Sequence, residues 1–231
     1  MKLIKLIAIF ILPIIYAACD FGTPYARTEV LSDATKTKIV EFFKTSPDKI
    51  TYRKISGSRW IVTVNGEKFV FHLIRDKGAL GAIRLASEEG VAPKIIYSSE
   101  QFVICKFIPG HILRPRDLLD PEKVKKLARL VKQVHSIPVS QDKKVCRFWN
   151  EASVNVLRAD DGSLKLGDLS SYSEIDLITD LAEIMYSLHI GGASIKILLT
   201  EYYGRPPTNE EIKALDPAFL KAWKSGSNEE H

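Results

Sequence analysis

The chain has 231 residues, of which 45% are hydrophobic and 26% are charged. That composition supports a substantial core and is ordinary for a soluble globular protein. The formal net charge of +5 is scattered, with no long basic run interleaved with aromatic residues, so the sequence argues against a nucleic-acid-binding protein. No spacing of its cysteines and histidines indicates a zinc site.

The first residues have the three-part build of a secretory signal. A short basic start is followed by the apolar stretch Leu6–Tyr16 and then by Ala17-Ala18-Cys19. The ending is similar to a bacterial lipobox, in which Cys19 is lipidated and becomes the first mature residue. We therefore predict a signal peptide or lipoprotein signal over residues 1–18, a tether over 19–32, and an exported or membrane-anchored protein. The alternatives are an uncleaved anchor and a cytoplasmic protein.

Residues 33–109 are predicted to form a small β-rich N-lobe. The clearest signal is Asn65-Gly66 between the β-rich runs Trp60–Val64 and Lys68–Leu73, which predicts a hairpin with a type I′ turn. The other elements predicted in this lobe are two helices and two strands, at Asp33–Lys44, Gly78–Glu89, Lys94–Tyr97 and Phe102–Phe107.

Residues 110–224 are predicted to form a mostly helical C-lobe. Ile108-Pro109-Gly110 interrupts the strand pattern and is a candidate hinge. A helix is expected from Pro121 with Asp120 as its cap, and an amphipathic helix over Asp176–His189. Shorter helices separated by Arg205-Pro206-Pro207 follow, and the polar residues 225–231 are predicted to be a disordered tail. The fold class is therefore α+β, with a cleft between two lobes where a ligand would bind.

One loop and one acid carry the chemical signal. Asn155 ends the loop that begins at Phe148, and Asp168 follows it by thirteen positions, after a turn at Asp160-Asp161-Gly162. Amide and carboxylate oxygens on the two sides of such a hairpin are suitable ligands for Mg²⁺ in phosphoryl transfer. The plainer alternative is that Asn155 caps a turn and Asp168 only ends a strand.

Over most of residues 50–215 the chain resembles the aminoglycoside phosphotransferase and choline/ethanolamine kinase superfamily, which has a protein-kinase-like fold. The resemblance rests on the order and spacing of several segments. They are Ile55–Ser58 with Trp60–Val70, Glu89–Tyr97, Phe107–Gly110, Val131–Pro138, Asp180-Leu181-Ala182 and Tyr202–Pro207. The resemblance implies Asn155 and Asp168 as metal ligands, Gly57 and Ser58 as the remains of a phosphate loop, and Mg²⁺ and ATP as cofactors if the protein is active.

Three departures from the family pattern argue against efficient phosphotransfer. Asn150 stands at the position of the catalytic Asp, and a neutral amide cannot accept the proton of the acceptor hydroxyl. His72 lies near the position of the family's phosphate-holding cation but is mostly neutral at pH 7, and its partner acid is missing unless Asp76 serves. Leu169 and Ser170 replace the aromatic and the acid with which the choline branch holds cationic amines.

Three functions stay open. The first is a catalytically impaired, kinase-like protein, a pseudokinase that acts as a binding or scaffold protein. The second is an active, divergent ATP-dependent kinase that phosphorylates a hydroxyl of an amino alcohol or amino sugar. The third is a lipid-anchored module whose cleft is closed by apolar side chains and that binds nothing small, so that it has no cofactor. Nucleotides, small amino alcohols or amino sugars, and a membrane are the expected partners.

Overall fold

The computed structural model describes residues 31–56, 58–74, 76, 78–141, 143–149, 155–170 and 172–217. The predictions made for the signal segment 1–18, Cys19, Gly57, Asn150 and the tail 225–231 lie outside these residues. Within the described ranges, no helix is both long enough and apolar enough to cross a bilayer.

A five-stranded antiparallel sheet dominates the N-terminal part. Its strands run in the spatial order β1-β2-β3-β5-β4. The elements are α1 (Asp33–Phe43), β1 (Ile50–Ser56), β2 (Arg59–Val64), β3 (Glu67–Leu73), α2 (Ala79–Glu88), β4 (Ile95–Ser98) and β5 (Phe102–Lys106). The predicted helices and strands of this lobe are confirmed, and β1 is an additional edge strand.

The turn between β2 and β3 sets the register of the central hairpin. Asn65 and Gly66 both have positive φ, 50° and 85°, as a type I′ turn requires. The register that follows pairs Val64 with Glu67 at the turn and Arg59 with His72 at the far end. The hairpin predicted from Asn65-Gly66 is therefore confirmed.

The alternation of side chains along β2 and β3 separates two cores. Trp60, Val62 and Phe71 lie on one face, in a cluster with Ile39 of α1. Val103 and Cys105 of β5 lie on the opposite face, in the larger core that includes α2 and the C-terminal helices. Arg59 and His72 alternate with the residues of the first cluster, so they face the second part of the chain.

The C-terminal part combines helices with two small sheets. Asp120 accepts a hydrogen bond from the backbone N–H of Glu122, which confirms the predicted cap of the helix that starts at Pro121. The elements are β6 (Gly110–Ile112), α3 (Pro121–His135), β7 (Lys144–Arg147), β8 (Val156–Ala159), β9 (Leu164–Leu166), β10 (Ser173–Asp176), α4 (Leu177–Ser187) and α5 (Ala193–Tyr203). A further helix occupies the described residues 209–217, beyond the predicted break at 205–207.

The segment predicted to be a hinge continues directly into a strand. β6 begins at Gly110 and pairs with β8, which in turn pairs with β9. A Cβ atom at Gly110 would lie 2.2 Å from the carbonyl oxygen of Arg158, and the residue has φ of +152°. Glycine is therefore required where the chain leaves the N-terminal sheet.

Candidate functional site

The β8–β9 hairpin brings the two predicted metal-ligand positions together. Asn155 directly precedes β8 and Asp168 follows β9, and Val156 pairs with Leu166 between the two strands. The backbone N–H of Gly167 donates to the carbonyl oxygen of Asn155 at 2.7 Å. This backbone contact places Asn155 beside Gly167, the residue before Asp168, and the expectation that the two side chains share an ion stays a prediction.

Asp168 is paired with an arginine from the N-terminal sheet. Its Oδ2 lies 3.2 Å from Nε of Arg59, and each of these side chains is only 11% exposed. Its Oδ1 accepts hydrogen bonds from the backbone N–H and the hydroxyl of Ser170, at 2.9 and 2.6 Å. Both carboxylate oxygens are therefore engaged by groups of this chain.

Further hydrogen bonds hold the Arg59 guanidinium in place. Nη1 donates to the carbonyl oxygen of Gly167 at 2.7 Å, and Nε donates to the hydroxyl of Ser56 at 2.8 Å. Arg59 lies in β2, whereas Gly167 and Asp168 follow β9, so these contacts join the two lobes. A guanidinium suits this role because its planar donors reach several acceptors at once and it stays charged.

His72 completes the cluster without carrying charge. It is buried, and its Nδ1 lies 3.8 Å from Oδ1 of Asp168 and has no hydrogen-bond partner among the described residues. Burial lowers the pKa of His72; Asp168 works against this lowering and the positive Arg59 adds to it. The ring is therefore neutral near pH 7, as the sequence indicates, and it cannot act as a phosphate-holding cation.

The pKa of Asp168 lies well below the ordinary range of a carboxyl group. Burial alone would raise the pKa. The neighbouring His72, the Arg59 guanidinium and the two hydrogen bonds from Ser170 outweigh that effect. Asp168 is therefore a carboxylate at physiological pH, and its charge is compensated by Arg59.

In the described residues, a magnesium ion at Asp168 would have to compete with Arg59. These residues contain no cluster of three or more His, Cys, Asp or Glu side chains that could hold a metal ion. Mg²⁺ needs oxygen donors arranged octahedrally, and one oxygen of Asp168 already faces the cationic Arg59 at 3.2 Å. A metal ion at this carboxylate would lie beside a fixed positive charge.

The cleft between the lobes contains a cavity of only about 90 Å³ beside this cluster. Arg59 and His72 line it together with apolar residues from both lobes. Those apolar residues include Val70, Pro93, Phe107, Ile108, Leu157 and Leu166. Pockets that bury small ligands are typically about 300–1,000 Å³. The cavity bordered by the described residues around Arg59 is therefore smaller than a typical ligand pocket.

A larger groove lies between α2 of the N-terminal part and residues 138–141 and 172–174 of the C-terminal part. It has a volume of about 640 Å³ and runs beside α2, where Leu85, Tyr172 and Glu174 line it and Asp168 does not. The carboxylate of Glu174 is already bonded to the backbone and side chain of Ser140, the backbone of Gln141 and the hydroxyl of Tyr172. The groove is open to solvent and is separate from the position of the predicted metal ligands.

A buried polar network anchors the start of the predicted catalytic loop. Phe148, at the position of the family's histidine, is buried in the core. The indole Nε1 of Trp149 donates to Oδ1 of Asp180 at 2.9 Å. His135 Nε2 lies 2.8 Å from Oδ2 of the same carboxylate, and its Nδ1 lies 2.8 Å from the hydroxyl of Tyr202. Because each of these polar groups has a partner, the network stabilises the core at the point where the loop begins.

The other predicted site residues have simpler roles in the structure. Ser58 is buried between β1 and β2, and its carbonyl oxygen accepts from the N–H of Leu73. Asp76 is exposed and accepts from the N–H of Gly78, so the acid beside His72 is Asp168 and not Asp76. Gly57 and Asn150 lie outside the described residues, so their predicted roles stay predictions.

Arg59 is the important residue that the sequence interpretation missed. One signal for it was available, because the Asn65-Gly66 turn fixes a register in which Arg59 faces His72. The contact with Asp168 joins residues 109 positions apart in the chain, and no local pattern indicates it.

No protein-family model matches the sequence, and no curated protein matches it. Solved structures do match. An ethanolamine kinase from Plasmodium vivax is similar with a TM-score of 0.62 and 14% identity, over 86% of this chain and 83% of the kinase. Choline kinase LicA from Streptococcus pneumoniae is similar with a TM-score of 0.58 and 12% identity, over 85% of this chain and 90% of LicA. A spectinomycin phosphotransferase in complex with ADP and spectinomycin has a TM-score of 0.54 and 13% identity, over 75% and 80% of the two chains.

These matches define the fold of the chain. It is the protein-kinase-like fold of choline kinases, ethanolamine kinase and antibiotic phosphotransferases, with a β-rich N-terminal part and a helical C-terminal part. The structural resemblance predicted from the sequence is confirmed. The identities of 12–14% relate the chain to these kinases by fold alone.

Proposed function

We propose that this protein is a pseudokinase: a protein with a choline kinase-like fold that does not transfer phosphate and acts as a binding or scaffold protein. The observation that carries the proposal is the pairing of Asp168 with Arg59 beside a cleft cavity of about 90 Å³. Phosphoryl transfer depends on metal ions that hold and neutralise the nucleotide phosphates. In this chain the carboxylate at the metal-ligand position is instead neutralised by a side chain.

The substitution at the catalytic position supports the same conclusion. Asn150 has no carboxylate with which to accept the proton of an acceptor hydroxyl. General-base assistance typically contributes about 10²–10⁴ in rate. With both the base and the metal ligand compromised, turnover would be slow even if a nucleotide entered the cleft.

A divergent small-molecule kinase is the second candidate. Its support is the intact β8–β9 hairpin, which keeps Asn155 beside the segment of Asp168. Activity would require Arg59 to leave Asp168 and the lobes to separate, so that Mg²⁺ and ATP could enter. An amino alcohol or amino sugar would be the acceptor.

An ADP-release assay distinguishes the two candidates. The full chain is incubated with Mg-ATP and a panel of choline, ethanolamine and amino sugars, with Asp168→Ala as the matched control. The pseudokinase predicts the same background release from both proteins. Release that depends on an acceptor and disappears in Asp168→Ala would establish the kinase and overturn the proposal.

We also propose that the N-terminal segment exports the protein and that Cys19 is lipidated, on the strength of Leu6–Tyr16 followed by Ala17-Ala18-Cys19. The chain would then be held at a membrane surface. Expression of the wild type and Cys19→Ser in a bacterial host, followed by membrane fractionation, tests this. If the wild type is found in the membrane fraction and Cys19→Ser is not, lipidation is supported. If the two proteins fractionate identically, lipidation is contradicted.

A further inference from the structure

We infer that the guanidinium of Arg59 occupies the position of a metal ion, acting as a built-in cation that closes the cleft and excludes Mg-nucleotide. This inference deepens the proposed function and rests on it. The oxygen atoms at the end of the hairpin would also suit a divalent cation. The inference assigns the positive charge at that position to Arg59 instead.

The position of the charge carries the first step. Nε of Arg59 lies 3.2 Å from Oδ2 of Asp168, and Nη1 donates to the carbonyl oxygen of Gly167 at 2.7 Å. A metal ion at this hairpin end would seek these same oxygens, a carboxylate and a backbone carbonyl. The guanidinium thus satisfies in one group the acceptors that a cation would satisfy.

Burial of the pair carries the second step. Both side chains are 11% exposed, so little water screens them. A second cation at Asp168 would be repelled by Arg59 at close range in this poorly solvated site. Arg59 cannot be neutralised by losing its proton, because a guanidinium stays charged.

The third step concerns how firmly Arg59 is placed. Its Nε–H donates to Ser56 Oγ at 2.8 Å, and Ser56 ends β1. The neutral ring of His72 lies beside Asp168, with its Nδ1 3.8 Å from Oδ1. Rotating Arg59 away would leave an uncompensated carboxylate beside this neutral ring, which is unfavourable. The contact therefore compensates the charge of Asp168 and keeps the two lobes together at this point.

Terbium luminescence tests the inference. Tb³⁺ is a hard, oxygen-seeking probe whose luminescence reports its binding. The compared proteins are the full-length wild type, Arg59→Gln and Arg59→Ala, with Arg53→Gln as the control for loss of an exposed arginine in the same sheet. Removing the like charge is expected to tighten saturable Tb³⁺ binding roughly tenfold or more in both Arg59 variants, and not in Arg53→Gln.

A second substitution assigns the gained binding to this carboxylate. Adding Asp168→Asn to Arg59→Gln is expected to abolish the gain, and excess Mg²⁺ is expected to reduce it by competition. Equal Tb³⁺ binding by the wild type, Arg59→Gln and Arg59→Ala, with cooperative unfolding showing that each is folded, would overturn the inference. So would a gain that survives Asp168→Asn.

The single variant Asp168→Asn keeps the test decisive if the Arg59 variants do not fold. In the wild-type background this substitution is expected to leave Tb³⁺ binding unchanged, because Arg59 already occupies the carboxylate. A clear loss of Tb³⁺ binding would contradict the inference. The ADP-release assay tests the proposed function, which acceptor-dependent release would overturn. The Tb³⁺ measurements test only the role of Arg59.

Discussion

Arg59 and His72 lie directly opposite each other in strands β2 and β3, and both side chains lie beside the carboxylate of Asp168. Arg59 contributes the positive charge, because burial lowers the pKa of His72 and keeps that ring neutral. One acid from the C-terminal part is therefore balanced by one base from the N-terminal sheet. The cluster is a neutral, closed contact between lobes that in an active kinase would hold a nucleotide.

Asp168→Ala should destabilise the protein. The substitution leaves the guanidinium of Arg59, which is 11% exposed, without its carboxylate. Removing one partner of a buried ion pair costs about 3 kcal/mol or more. The free energy of unfolding, measured by urea titration at pH 7, should fall by that amount.

A double-mutant cycle checks that this loss comes from the pair. Arg59→Met combined with Asp168→Leu should be less destabilising than the sum of the single variants, because no buried charge is left unpaired. Lys125→Ala, which breaks an exposed pair with Glu122, is the control and should change stability little. Additive effects of the two cleft substitutions would contradict the pairing.

His72→Gln should flatten the dependence of stability on pH below pH 6.5. The pKa of folded His72 is lowered, whereas in the unfolded chain it stays near 6.5. The unfolded state therefore binds an extra proton as the pH falls through 6.5, and the stability of the wild type declines. Between pH 6.5 and the pKa of folded His72, the unfolding free energy of the wild type should fall more steeply than that of His72→Gln, by up to about 1.4 kcal/mol per pH unit.

Urea titrations at intervals from pH 8 to pH 5 measure this difference. The chain has five histidines, so the comparison with His72→Gln isolates the contribution of one. His111→Gln serves as the control for loss of a half-exposed histidine. Parallel pH profiles for the wild type and His72→Gln would show that His72 is not held neutral by burial.

Trp149→Phe should weaken the core at the start of the predicted catalytic loop. It removes the indole N–H that donates to Asp180 and leaves one carboxylate oxygen without that donor. The cost of an unsatisfied buried polar group is about 1–3 kcal/mol. Trp60→Phe, which removes a buried indole from the N-terminal core, is the matched control for loss of aromatic packing. A loss no larger than the packing cost alone would argue against a stabilising network.

Gly110→Ala should disturb the connection between the two lobes. The added Cβ would lie 2.2 Å from the carbonyl oxygen of Arg158, which is backbone and cannot move aside freely. Overpacking of this kind costs roughly 3 kcal/mol. Gly191→Ala is the control, because a Cβ there meets nothing within 4 Å. Similar melting points for the two variants would contradict the close packing of β6 on β8.

The sequence predicted correctly those elements that a few neighbouring residues determine, such as turns and helix caps. Asn65-Gly66 indicated the hairpin because the turn needs two positive φ angles, and Asp120 indicated the start of α3 because it caps the first turn. β1 was missed because it is an edge strand with mostly exposed side chains and no strict alternation. β6 was missed because Pro109-Gly110 is typical of a break, although Gly110 is needed there for close packing.

The candidate site shows the same division. Asn155 and Asp168 were predicted to lie near one another because a short hairpin joins them, and in the structure Gly167, next to Asp168, donates to the backbone of Asn155. The contact between Arg59 and Asp168 depends on how closely the lobes approach. That distance is set by the apolar packing of the cleft, which no motif specifies.

The thermal unfolding of the full chain with and without Mg-ATP tests the central claim most directly. A ligand that binds the folded state at 100 times its Kd adds about 2.7 kcal/mol to stability, and Tm rises by several degrees. A cleft closed by Arg59 and Asp168 predicts an unchanged Tm at millimolar Mg-ATP. A rise in Tm that grows with Mg-ATP concentration would contradict it.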